Sequence, residues 1–342
     1  GLVEPEHLMS MGDLPELFPR VVNVPGRWEP SGSGDTGAGT YAAVIVLPET
    51  RQSLALRVRR LATASRIYWN GNLIYRAGRP ALEPERAEPT QQPAVVPLNN
   101  VRRENTLIVQ ISNHSERRGG MVTTLQLGEV STLFEARQGT LLLNLFLLGV
   151  LLTMAVYHVF LYLYRRSEAA PALFAIVSFI LATRVAFTDE LLIRELIPQL
   201  SHQVVTRVNY LTLSTLVLVF PRFMLSLFRA PKEWWFWRAV AVGSILYSAV
   251  TVAAPLQVFI RILPLFQGFT IIAGTGLVVV VGQAIRRREE GAWLFFVGFL
   301  TFFLTVIFDI LRDNFILRDN FDVSFISLSP FGLAVFTILQ AV

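Results

Sequence analysis

The chain is 342 residues long, 53% hydrophobic and only 16% charged, with a mean hydropathy of +0.49; that balance excludes one water-soluble globular unit. Its formal charge of +5 and pI near 9.9 come largely from arginines in short loops between apolar runs, the pattern of a membrane protein and not of a nucleic-acid binder. With no cysteine, a disulfide framework and a thiolate metal site are both excluded, and no cofactor is indicated.

The opening stretch, GLVEPEHL, has no apolar signal segment. A domain that follows it across a membrane needs one, so a leader removed on export is expected. From Val21 to Gly128 short alternating runs are separated by turn residues. Tyr41–Leu47, Leu54–Val58, Ile67–Trp69, Leu73–Tyr75, Val95–Leu98, Leu107–Ile111 and Met121–Leu127 read as strands. Leu54, Leu56 and Val58, and likewise Leu107, Val109 and Ile111, keep the period of two of a half-buried strand. Asn70-Gly71 between two runs signals a two-residue hairpin turn, because both positions need positive φ. Seven such strands predict a β-sandwich or jelly roll.

Gly32 to Gly39 (GSGDTGAG) contains a formal G-x-G-x-x-G. A dinucleotide site requires that motif after a strand and at the start of a helix; here it leads into a strand, so it reads as a loop. The strings GTYAAVIVLPE and YWNGNLIYRAG resemble the galactose-binding-like jelly roll of carbohydrate-binding domains over roughly residues 20–128. That resemblance makes Trp28 and Trp69 candidates to stack on a sugar face, with Arg27 and Asn70 as hydrogen-bonding groups. The alternative places both tryptophans in or against the core.

Of the 25 Phe residues only Phe18 precedes position 130, so the change from polar to lipid-compatible sequence falls near Val130 to Gly139. The expected organisation is an all-β extracytoplasmic domain (1–130), a juxtamembrane coupler (131–138) and an all-α seven-helix membrane domain (139–342). About 20 apolar residues cross the hydrocarbon core as a helix. Seven candidates follow: Gly139–Tyr164, Pro171–Phe187, Val204–Phe220, Trp235–Ala254, Val258–Ile285, Trp293–Leu311 and Val323–Val342. Pro264 and Pro330 are expected to bend their helices.

Arginine sets the orientation. Arg165-Arg166, then Arg229, Lys232 and Arg238, then Arg286-Arg287-Arg288 fall in alternate short loops and read as cytoplasmic. Arg194, Arg312 and Arg318 lie in the opposite loops among Asp189, Glu190, Glu195, Asp313 and Asp319. Trp234, Trp235 and Trp237 then form an inner aromatic belt. The amino-terminal domain is placed outside and the carboxyl end inside.

Ionisable groups at membrane depth are costly and mark function or structural pairing. Arg184 and Asp189 end the second span, Arg207 and Asn209 open the third, Arg261 opens the fifth, and Asp309 and Arg312 end the sixth. Helix direction brings all of them to one level, and Asp309 is one turn from Arg312, close enough to pair. They read either as structural ion pairs or as a ligand cleft or switch. Asn144 and His158 lie deeper in the first span, with His158 read as an interhelical hydrogen-bonding group.

From FEARQGTLLLNLFLLGVLLTMAVYHVFLYLYRRSE through ALFAIVSFILATRVAFTDE and FPRFMLSLF to WLFFVGFLTFFLTVIFDIL, the chain resembles the bacterial seven-transmembrane receptors with diverse intracellular signalling modules. The resemblance implies a bacterial inner-membrane receptor that senses an extracytoplasmic ligand. Its cytoplasmic partner is a signalling output domain or protein, and a homodimer is the expected working unit. The chain stops at FTILQAV, still in apolar helix, so an output domain is expected beyond it. Catalysis within the chain is not expected, since no nucleophile elbow, P-loop or HExxH is present. The only lysine, Lys232, sits in a loop, which excludes a retinal Schiff base. The competing reading is a transporter or lipid-handling protein with an accessory β-sandwich.

Overall fold

The computed structural model describes residues 21–28, 36–48, 53–59, 61, 63–117, 119–188, 190–228, 234–314 and 328–340. The chain divides into two compact units. The first is Gly1–Leu141 with Asp189–Leu191 and Gln199–His202; the second is Leu142–Thr188, Leu192–Pro198 and Gln203–Val342.

The described residues of the first unit hold seven strands: β1 (Gly37–Val46), β2 (Leu54–Val58), β3 (Ala64–Trp69), β4 (Asn72–Ala77), β5 (Ala94–Pro97), β6 (Glu104–Asn113) and β7 (Gln126–Glu129). They form two antiparallel sheets, ordered β1-β6-β3-β4 and β5-β2-β7. Apolar residues at alternate positions turn one face of each sheet toward a shared core that includes Leu56, Val58, Ile67, Trp69, Val109 and Ile111. The hairpin between β3 and β4 turns on Asn70 (φ 49) and Gly71 (φ 81), as the Asn-Gly pair requires. At Gly78 (φ +69) a Cβ would meet the Glu88 carbonyl oxygen at 2.0 Å. Glycine therefore permits the Arg79–Glu88 bridge that folds the following loop back on the strand.

Two features depart from the reading of the sequence. Met121 belongs to the core, but of its predicted strand, Met121–Leu127, only Gln126 and Leu127 are paired in a sheet, and that pairing runs on to Glu129. All five residues of β2 are buried, Arg57 among them, where the alternation LALRV predicts a half-exposed strand.

Among the described residues eight helices follow: α1 (Val130–Tyr164), α2 (Ala169–Phe187), α3 (Leu192–Leu196), α4 (His202–Leu227), α5 (Trp234–Ala253), α6 (Leu256–Arg286), α7 (Ala292–Asp313) and α8 (Ser329–Gln340). Six of these described helices are long and apolar enough to cross a membrane: α1, α2, α4, α5, α6 and α7. The seventh predicted span lies partly outside the described residues; its described part is the 12-residue α8. Strand β7 ends at Glu129 and α1 begins at Val130, so residues 131–138 are the first turns of a 35-residue helix. At 1.5 Å per residue that helix is about 52 Å long. Pro221 and Pro264 lie inside α4 and α6 without ending them.

The helical unit is built on aromatic packing. Phe174, Phe220, Phe223, Phe295, Phe299 and Phe336 from α2, α4, α7 and α8 share one core, with Phe220 stacked on Phe299 at a centroid distance of 5.5 Å. This is why the phenylalanines concentrate after residue 130. Gly274 of α6 faces the Phe303 ring, which a Cβ would approach to 2.1 Å, so a small residue permits the α6–α7 contact. Large apolar side chains such as Leu145, Phe146, Phe160 and Leu265 point outward, as a lipid-facing surface requires.

Candidate functional site

Within the helical unit, the polar residues singled out from the sequence tie helix ends together. Arg184, in the last turn of α2, reaches Asn209 of α4. Its Nη1 donates to the Asn209 carbonyl at 3.3 Å and to Oδ1 at 3.1 Å. Arg207 of α4 donates to the carbonyls of Thr251, Val252 (2.9 Å) and Ala254 (2.9 Å). These are carbonyls at the end of α5, which lack partners inside the helix and carry the negative end of its dipole. The guanidinium also lies 5.6 Å from the centroid of the Phe259 ring, a cation–π contact.

Asp309, in α7 and 8% exposed, has the complementary role. Oδ1 accepts the Leu328 N–H at 3.0 Å and Oδ2 accepts the Ser329 N–H at 2.9 Å. A carboxylate thus caps the positive end of α8 from another helix. Arg261 is exposed on α6. Asp189 lies outside the described residues, and so does the Arg312 side chain, on which the expected pair with Asp309 depends. Among the described residues these contacts tie α2 to α4, α4 to the end of α5, and α7 to the start of α8. His158 Nδ1 lies 2.8 Å from the Met154 carbonyl of its own helix, and its ring packs on Phe174 of α2 at 4.3 Å. Its hydrogen bond is thus intrahelical, where an interhelical one was expected.

In the sandwich, Trp69 is 1% exposed and in the core. Trp28 lies over β1: its ring approaches Gly39, and Nε1 donates to the Tyr41 hydroxyl at 2.8 Å. That hydroxyl accepts the Met121 N–H at 3.1 Å. Burial pushes the Tyr41 pKa up, partly offset by these two hydrogen bonds. Asn70 donates from Nδ2 to the Asn100 carbonyl (2.8 Å) and to Asn105 Oδ1 (3.0 Å), while its Oδ1 accepts the Thr106 N–H (2.9 Å). These bonds pin the hairpin to the loop preceding β6 and to the start of β6 itself. Arg27 is half-buried beside Trp28.

A cluster that the sequence reading did not single out lies in the first unit. Arg57 Nη2 of β2 is 3.3 Å from Glu190 Oε1, and Arg137 Nε of α1 is 3.1 Å from Glu190 Oε2. The Arg57 and Glu190 side chains are each 6% exposed, so one carboxylate offsets two guanidiniums away from water. The available signal was Arg57 itself, a cation inside an otherwise apolar strand. Nearby in chain terms, Arg194 of α3 is half-buried, and desolvation lowers its pKa.

A model of the family described as 7TM diverse intracellular signalling matches residues 140–342, more than half of the chain. No curated protein matches. Among solved structures, 22 chains match. One is a b-glucuronidase from Ruminococcus gnavus in complex with uronic deoxynojirimycin, with 15% identity and a TM-score of 0.26 over 36% of this chain and 26% of that one. This chain thus spans about a quarter of the length of that structure, and nothing about a ligand follows from the likeness.

Proposed function

The chain belongs to the 7TM diverse intracellular signalling family, and from that premise we propose that it is the input module of a signal receptor. It is a multi-pass membrane protein of a receptor and sensor family, with antiparallel sheets ahead of the helices. In this reading the sandwich stands outside the cytoplasmic membrane of a bacterium and meets a carbohydrate-like extracytoplasmic ligand. Its amino-terminal candidates for that contact are Arg27 and Trp28, since Trp69 is in the core and Asn70 is engaged in the hairpin. The helices carry the response to a cytoplasmic signalling partner, and two copies form the working unit. The chain itself is read as non-catalytic.

The observation that carries this reading is the junction of β7 and α1. With no residue between strand and helix, a displacement at Glu129 is delivered to a rigid helix instead of being absorbed in a linker. The ties at Arg184, Arg207 and Asp309 supply discrete helix-end contacts that a signal can bias, as a population shift requires. Orientation rests on Arg165-Arg166, in the loop following α1, and on Arg286-Arg287-Arg288, which end α6 and open the loop after it; the two groups thus lie at the same end of the bundle.

Because the chain has no cysteine, single-cysteine labelling tests the arrangement directly. Glu85→Cys, on an exposed loop of the sandwich, is expected to react with a membrane-impermeant maleimide in spheroplasts. Arg166→Cys, in the α1–α2 loop, is expected to react only after permeabilisation. Labelling of both from one side would refute the transducer reading.

A further inference from the structure

The segment joining α2 to α4 belongs to two units at once. Its two ends, Glu190–Leu191 and Gln199–His202, are part of the first unit, while α3 between them is part of the second. Each end is fixed by buried polar contacts. At the first, the Glu190 carboxylate is shared between Arg57 of β2 (3.3 Å) and Arg137 of α1 (3.1 Å). The next residue, Leu191, is 8% exposed and has φ 53, a conformation that non-glycine residues rarely adopt and that persists where the surroundings impose it.

At the second end, His202 is 4% exposed and its Nε2 lies 3.8 Å from Glu116 Oε1. Glu116 is held in turn. Its Oε1 accepts from Gln91 Nε2 at 2.9 Å, its N–H donates to Asn113 Oδ1, and its carbonyl accepts from Asn113 Nδ2.

We propose that the α2–α4 connection is the handle by which the sandwich moves the transmembrane helices, with Glu190 as its positioning residue. One carboxylate relates a sandwich strand, the first turns of α1 and the residues that follow α2; His202, the first residue of α4, adds a fourth element. Buried ion pairs of this kind contribute little net stability compared with apolar packing, and their attested value is in fixing one arrangement over its neighbours. Strand β2 therefore keeps Arg57 where its own alternation would place an outward residue. A change in the sandwich that shifts β2 relative to Arg137 cannot keep both arms of Glu190 at bonding distance. The helix ends joined to it must then take up the movement.

The test uses the whole chain in lipid nanodiscs and needs no ligand, so its failure is separable from failure of the receptor reading. In Glu190→Gln, hydrogen exchange of residues 130–141 and 190–205 is expected to rise about tenfold while residues 174–183, inside α2, are unchanged. Spin labels at Arg166→Cys and Glu290→Cys, on exposed positions of the loops after α1 and α6, are expected to change separation by about 2 Å, the scale of interhelical shifts in signalling proteins. Glu190→Asp should restore part of both effects. If Glu190→Gln fails to insert, Arg137→Gln takes its place, since Arg137 is the more exposed partner at 20%. Unchanged exchange in residues 130–141 overturns the proposal. Faster exchange with an unchanged label distance also overturns it, since the cluster would then be a local structural contact.

Discussion

Replacing Asp309 isolates how a single carboxylate holds the start of α8. Its two oxygens accept the N–H groups of Leu328 and Ser329 at 3.0 and 2.9 Å, and the residue is 8% exposed. Hydrogen bonds to a charged group contribute about 1.5–3 kcal/mol each, and a buried donor left unmade costs about 1–3 kcal/mol. The two bonds share one side chain and are not additive, so Asp309→Ala is expected to cost about 2–4 kcal/mol. Asp309→Asn keeps one acceptor and loses the charge that complements the helix dipole, for a cost of about 1 kcal/mol. Reversible unfolding of the chain in mixed micelles measures both values, and hydrogen exchange of residues 328–333 localises the effect to α8. The order wild type, Asn, Ala is the expected result. An Asp309→Ala protein within about 0.5 kcal/mol of wild type, with unchanged exchange in α8, would refute the capping argument.

Two further predictions follow the same logic. Arg207→Gln removes the guanidinium from the end of α5 and from the face of Phe259; it is expected to cost about 2–3 kcal/mol and to speed exchange in the last turn of α5, as read by mass spectrometry. In the sandwich, burial raises the Tyr75 phenol from 10.0 to about 12, against a weaker opposing hydrogen bond with Ser65, and the hydroxyl donates to the Gln92 carbonyl. Between those pH values the unfolded chain releases a proton that the folded chain keeps, so stability falls as pH rises from about 10 to about 12, by about 2–3 kcal/mol at the top of the range. Tyr75→Phe is expected to flatten that alkaline loss in a thermal-midpoint titration, and an equal loss in both proteins would refute it; Tyr41, also raised, contributes in the same direction in each.

The residues already legible in the sequence are those whose structure is decided locally or by solvent. Asn70-Gly71 adopts the left-handed turn because its own backbone preferences demand it. Strand β2 has the bounds Leu54–Val58 that alternation indicates, and six of the apolar runs are helices of membrane length because backbone groups in hydrocarbon must be satisfied within the segment. Helix ends were harder to read: α4 extends past the predicted span at both ends, and the stretch 131–138 is already helix, since its polar residues interrupt an apolar pattern without interrupting hydrogen bonding.

Partners are another matter. Nothing near Arg57 in the sequence indicates that its carboxylate lies 133 positions away, and nothing in the α4 sequence shows that Arg207 faces the carbonyls that end α5. Composition and periodicity determined which segments are sheet and which are membrane helix, because those depend on each segment's own exchange with water or lipid. Which charge meets which helix end was decided only by the tertiary structure, because a buried charge takes the complementary group that packing brings to it and not the one that sequence spacing offers.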